Sequence, residues 1–274
     1  MTAFRVVRMV AHLFLGMAIC AVLFPWTSAA GRQAHIRRWS RQLLGICGIQ
    51  VVLRQPLAAT AAIPDLPRHA LFVSNHVSWL DIFVINSIQP CRFVAKSDIR
   101  SWPFIGWLCA KTGTIFIARA KVSDVGRIFK GLVTSIEAGE RVAFFPEGTT
   151  SAQGQLGGFH ANLFEAAINA KAPVQPFTLR YLDAQGNYHP AADFIGEMTI
   201  VESIAAILKA RTMTAELTQL PPIASAGVHR RVLAATARQA IAAGLGYASA
   251  ELSPAAAPAD SRPETPHYPQ VEPQ

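Results

Sequence analysis

The chain has 274 residues, enough for one sizeable core with short appendages but not for two full enzymes. Only 15% of it is charged and 51% is hydrophobic, against roughly 25% charged in ordinary soluble domains, so much of its surface rests on lipid or on partners. A net charge of +8 suits anionic partners, and a membrane surface fits better than nucleic acid, for which neither basic–aromatic interleaving nor a fold motif is found.

Met9 to Pro25 is apolar apart from His12. Seventeen residues rise about 26 Å as a helix, against a hydrocarbon core of about 30 Å, so this segment either spans marginally or lies re-entrant or interfacial. A cleaved signal peptide competes: Arg5 and Arg8 precede the run, and Ser28-Ala29-Ala30 resembles a cleavage site. Arg32, Arg37, Arg38 and Arg41 follow the run, an excess that places the body on the cytoplasmic side if the segment spans. Basic residues at an anionic leaflet contribute about 1 kcal/mol each. Cys20, Cys47, Cys91 and Cys109 share no close spacing, which argues against zinc and for reduced, buried thiols.

From Leu71 the chain alternates. Short buried strands are expected at Leu71–Val73, Arg92–Ala95, Thr114–Ile117, Val142–Phe145 and Val174–Tyr181. Helices are expected at Trp79–Ile88, Phe104–Ala110 and His160–Ala170. A further amphipathic helix, with Val125, Ile128, Phe129, Leu132, Val133 and Ile136 on one face, opens at a Ser123 cap and closes near Gly139. This predicts an α/β fold with a mostly parallel sheet flanked by helices, behind an N-terminal apolar anchoring segment. The expected division is an anchor with its basic flank over 1–45, a catalytic domain over 46–250, and a disordered Pro/Ala-rich tail over 251–274.

Four segments carry chemistry. In NHVSWLD (75–81), a histidine with a nearby carboxylate makes a neutral-pH general base. Five residues turn a regular helix through about 500°, leaving His76 and Asp81 roughly 140° apart, so the pair requires His76 in a turn and Asp81 at the helix start. By spacing alone, a surface histidine beside a helix-start aspartate is the plainer reading. In FPEGT (145–149), proline stops a strand and glycine permits a tight turn, presenting Glu147 at the carboxyl edge of the sheet, where open α/β sheets gather ligands; taken alone, an ordinary strand-ending turn with a solvated Glu fits as well. GTIFIAR (113–119) ends a strand in Arg119, either surface charge or a bidentate phosphate clamp, with Lys96 as a second positive contact. PVQP (173–176) marks a proline-bracketed strand entry. His160–Glu165 and His267–Glu272 repeat the His–acid spacing, the first within an expected helix and the second in the tail.

In this order, the four segments resemble the glycerolipid acyltransferase family that includes the 1-acylglycerol-3-phosphate acyltransferases, whose pattern is NHxxxxD, GxxFIxR, FPEGT and a V-P strand. The resemblance covers about residues 70–180. It implies transfer of a fatty acyl group from an acyl-CoA or acyl-carrier protein to the free hydroxyl of a lysolipid, most directly 1-acylglycerol-3-phosphate, at the cytoplasmic membrane. His76 would take the hydroxyl proton and Asp81 orient it. Arg119, Glu147 and Gly148, with Thr149 and Lys96 beside them, would hold the acceptor's glycerol phosphate. No metal, resident cofactor or acyl-enzyme is implied. Ala118, Thr150 and Gln175 depart from the family's usual Asp, Arg and apolar residue. Thr150 and Gln175 bear on the acceptor more than on the reaction. FPEGTTS with Gly154 and Phe159 also looks like relatives that acylate lyso-ornithine lipids. Outside this class stand a catalytically silent lipid-binding protein and an exported protein with a cleaved signal.

Overall fold

The computed structural model describes residues 2–54, 69–117, 122–210 and 212–247. Among the described residues, seven strands form one sheet: β1 (Ile49–Arg54), β2 (Leu71–Ser74), β3 (Arg92–Lys96), β4 (Ile115–Ile117), β5 (Val142–Phe144), β6 (Val174–Leu182) and β7 (Met213–Gln219). Their spatial order is β1-β7-β6-β2-β5-β3-β4, and every neighbouring pair is parallel except β6–β7. The expected mostly parallel sheet is therefore present. Its central strand β2 is buried on both faces, as an unbroken apolar run demands.

Helices cover both faces. On one, α2 (Ala29–Cys47), α3 (Asp81–Ile88) and α7 (Ile200–Lys209) pack Leu44, Val84, Ile85 and Ile207 against Phe72, Phe177 and Leu179. On the other, α5 (Val122–Glu137), α6 (Glu165–Asn169) and α8 (Arg230–Leu245) pack Leu132, Ile136, Ala166 and Leu233 against Leu71, Val73 and Val142. Alternate residues of β2 thus serve two separate cores. α4 (Ile105–Lys111) lies between β3 and β4.

Several expected helices start elsewhere. α3 begins at Asp81 rather than Trp79, because the Asp81 carboxylate draws the Val77 and Ser78 N–H groups into a turn ahead of it. The helix expected over His160–Ala170 shrinks to a 3₁₀ turn at Asn162–Phe164 followed by α6, leaving His160 in a loop. α5 starts at Val122, one residue before the expected Ser123 cap. The tail over 251–274 lies outside the described residues.

α1 (Thr2–Ala18) continues through a π-turn at Ile19–Leu23 and a 3₁₀ turn at Phe24–Trp26. Pro25 has no N–H to continue the ladder, and the Phe24 N–H reaches back to Ile19 O instead. The helical run Ala3–Trp26 is 24 residues, about 36 Å, long and apolar enough to cross a membrane, and starts earlier than the expected Met9. Ser28, read above as part of a cleavage-like site, caps α2 by accepting the Gly31 N–H. α1 folds back on α2: His12 and Trp39 stack at 4.6 Å and each ring bonds the other's carbonyl at 2.9 Å. Arg5 donates to Leu208 O and Ala210 O at the end of α7. The residue-45 boundary falls within α2, which shares the core of the sheet.

Candidate active site

The site is built where β2 ends. Asn75, buried, extends the strand with its side chain: its amide donates to Leu179 O at 2.9 Å and its carbonyl accepts the Leu179 N–H at 2.8 Å. The backbone is thereby released into a turn while remaining tied to β6. His76 occupies that turn and Asp81 opens α3, the arrangement that helical geometry requires. His76 Nδ1 lies 2.8 Å from Asp81 Oδ2, which also accepts the Val77 and Ser78 N–H groups at 2.7 and 3.0 Å. Asp81 is fully buried, so these donors offset the loss of water. A carboxylate already accepting two backbone donors accepts from Nδ1 as well, which leaves the Nε2 lone pair free on a side chain that is 18% exposed. Phe145 stacks flat on the imidazole, centroids 3.9 Å apart and planes 7° apart.

Glu147 follows β5 and turns inward. One carboxylate oxygen accepts the His76 N–H at 2.8 Å; the other accepts the Ser151 hydroxyl at 2.6 Å and the Gly157 N–H at 2.8 Å. Burial pushes its carboxyl above the ordinary value, while these three donors pull the other way. Glycine at 157 permits the approach, since a Cβ there would stand 3.0 Å from Glu147 Oε2. The Ser151 N–H in turn donates to His76 O at 2.8 Å. Both backbone groups of His76 are thus held by the segment that follows β5.

Gly148 and Thr149 are exposed beside this clamp, Gly148 with φ +70. His160 lies against Gly148, and its acidic neighbour in sequence, Glu165, pairs instead with Arg230 at 3.7 Å. Lys96 is the exposed last residue of β3. Because β2, β5 and β3 run parallel, His76, Glu147 and Lys96 share one edge of the sheet. Arg119 and Ala118 lie outside the described residues. Thr150 donates its hydroxyl to Phe194 O. Sequence reasoning missed Tyr181, which is fully buried and donates to Asp81 Oδ1 at 2.7 Å. No local pattern signals it, since 100 residues separate the two.

Comparison with known proteins bears on what this edge does. The family model described as Acyltransferase matches residues 58–180. The lyso-ornithine lipid O-acyltransferase of Pseudomonas aeruginosa is 31% identical over 242 residues, covering 86% of this chain and 90% of that protein. The 1-acyl-sn-glycerol-3-phosphate acyltransferase of Neisseria meningitidis is 39% identical over 139 residues, covering 51% of this chain and 54% of that protein. In fold, the chain resembles the crystal structure of the 1-acyl-sn-glycerophosphate acyltransferase PlsC of Thermotoga maritima, with a TM-score of 0.60 at 18% identity, over 90% of this chain and 97% of that one. With a relative 31% identical that covers 86% of this chain and is itself covered to 90%, the chain belongs to the acyltransferase family and is an acyltransferase.

Proposed function

We propose that this enzyme transfers a fatty acyl group from an acyl thioester, acyl-CoA or acyl-carrier protein, to the free hydroxyl of a lysolipid, with His76 as general base. The observation that carries the reading is the His76–Asp81 contact, which leaves Nε2 as the open lone pair at the sheet edge. As the acceptor oxygen bonds the thioester carbonyl carbon, its proton passes to Nε2. Collapse of the tetrahedral adduct breaks the C–S bond, and the imidazolium returns the proton to the departing thiolate. Asp81 stabilises the imidazolium between the two steps, and general-base help of this kind is worth about 10² to 10⁴ in rate. The chemistry calls for no metal or resident cofactor.

For the acceptor, 1-acylglycerol-3-phosphate leads, supported by the higher identity of the Neisseria meningitidis enzyme, 39% over 139 residues. Lys96, Arg119, Gly148 and Thr149 would meet its phosphate. A lyso-ornithine lipid is the second reading, favoured by the relative that aligns over 86% of the chain. Glu147, with its oxygens already on protein donors, would act by holding the His76 loop. The enzyme would work at the cytoplasmic membrane with its body facing the cytoplasm. The apolar Ala3–Trp26 helix and the arginines after it support this.

The test is acyl transfer in isolated membranes with labelled acyl-CoA and a panel of lysolipid headgroups. His76→Ala should lose at least about a hundredfold in kcat, and the product formed by the wild type names the acceptor. Wild-type turnover by His76→Ala would remove the histidine from the mechanism.

A further inference from the structure

β6 outruns β2. Their register ends at Ser74 opposite Phe177, and beyond it Asn75 takes up Leu179. Tyr181 is the next residue on the same face as Phe177 and Leu179, the face that packs α3. Its phenol therefore arrives beside the first residue of α3, where it donates to Asp81 Oδ1 at 2.7 Å. Both residues have no exposed surface. Burial, with the Asp81 charge beside it, holds the phenol well above its ordinary range, so it stays a donor.

The two carboxylate oxygens are used unequally. Oδ2 serves His76, Val77 and Ser78, whereas Tyr181 is the donor placed on Oδ1. The terminal torsion of an aspartate is soft, so a carboxylate gripped on one oxygen still has freedom to turn. A donor on the second oxygen fixes its plane, and the plane sets where Nδ1 must point. Tyr181 is itself restrained: its N–H donates to Gln153 Oε1 at 2.7 Å. Gln153 belongs to the segment whose Ser151 and Gly157 bind Glu147, which holds the His76 N–H. Both members of the pair are thus referenced to one loop, His76 through Glu147 and Asp81 through Tyr181.

We propose that Tyr181 is a positioning residue for acyl transfer, fixing the Asp81 carboxylate and through it the His76 imidazole. The proposal rests on the reading of His76 as the base.

Tyr181→Phe removes one oxygen and keeps the ring. Its kcat should fall roughly ten- to a hundredfold while KM for lysolipid and for acyl-CoA stays within about twofold, because orientation of the base is lost and binding is not. In an Asp81→Asn background the same change should cost nothing further in residual kcat, since Tyr181 acts through that carboxylate. An unchanged kcat, a loss carried by KM, or an equal loss in both backgrounds would overturn the proposal. Should Tyr181→Phe not fold, 3-fluorotyrosine at 181 keeps shape and donor, and its kcat must then shift; an unchanged value counts against the role. His76→Ala separates the two levels. If that variant stays active the base reading itself fails, whereas a dead His76→Ala beside an additive Tyr181→Phe removes only the positioning role.

Discussion

The side chain of Asn75 forms the rung of the sheet that its own backbone leaves, pairing with both the N–H and the C=O of Leu179. Asparagine is the fitting residue because donor and acceptor must face the strand together. Asn75→Asp keeps the acceptor but sets a carboxylate oxygen against the Leu179 carbonyl in a buried site. A loss of about 2–3 kcal/mol is expected, with kcat falling as the His76 turn loosens. Chemical denaturation and initial rates check this; a fully stable, fully active Asn75→Asp would show that the rung does not hold the turn.

Gly148 sits at φ +70, and a Cβ there would meet His160 Cδ2 at 3.1 Å. Gly148→Ala therefore carries two costs, a backbone cost of about 1–2 kcal/mol and a contact. Adding His160→Ala relieves the second and leaves the first. The thermal midpoint should drop for Gly148→Ala, by roughly 2–4 °C per kcal/mol, and recover only partly in the double variant. Full recovery would assign the whole effect to the imidazole, and no drop at all would mean the turn tolerates a side chain.

How far the sequence could be read follows from where each constraint lies. The strands from Leu71 to Tyr181 and their parallel arrangement were legible because buried strands here are short apolar runs between turn residues. His76 and Asp81 were legible as a pair once helical geometry demanded a turn between them. α7 carries a readable signal, the Thr199–Glu202 capping box. Ser28 carried an ambiguous one, since small residues suit a cleavage site and a helix cap alike. The inward turn of Glu147 was hidden, because its partners Ser151 and Gly157 reveal themselves only when the loop closes. Tyr181 was hidden more deeply: its partner is brought to it by strand register alone.

Glu216 on β7 lies between Arg180 on β6 and Arg54 on β1. Burial alone would raise its carboxyl, but the hydrogen bonds and charges of Arg180 and Arg54 outweigh this and hold it below the ordinary 4.5. The folded chain therefore binds fewer protons here than the unfolded chain, so the ionised pair stabilises above about 4.5 and that stability is lost as pH falls through the lowered folded value. Glu216→Gln should melt a few degrees below the wild type at pH 7, and the gap should close as pH drops under 4.5. Thermal melts of both proteins across that range are the measurement, and a gap that widens toward acid would reverse the sign.

α1 and the segment before α4 present one apolar surface. Phe14 and Phe104 lie with ring centroids 6.3 Å apart and are 55% and 52% exposed, beside the exposed Trp102, Ile105 and Trp107. Phe104 sits at φ +61 and ψ −50, the strained centre of a γ-turn closed by the Ile105 N–H on Pro103 O, which costs a non-glycine residue about 1–3 kcal/mol. Such strain together with uncovered aromatic area fits a surface that lipid covers. Burying each phenyl ring is worth roughly 1.5–3 kcal/mol, so Phe14→Ser with Phe104→Ser should weaken partition into vesicles by at least about tenfold. Turnover of a short-chain lysolipid in detergent should stay within about twofold, because the rings belong to α1 and the entry to α4, not to the elements that carry His76, Asp81 and Glu147. Unaltered flotation with vesicles would place the membrane contact elsewhere on the chain, and lost turnover in detergent would mean that these rings support the fold rather than dock it.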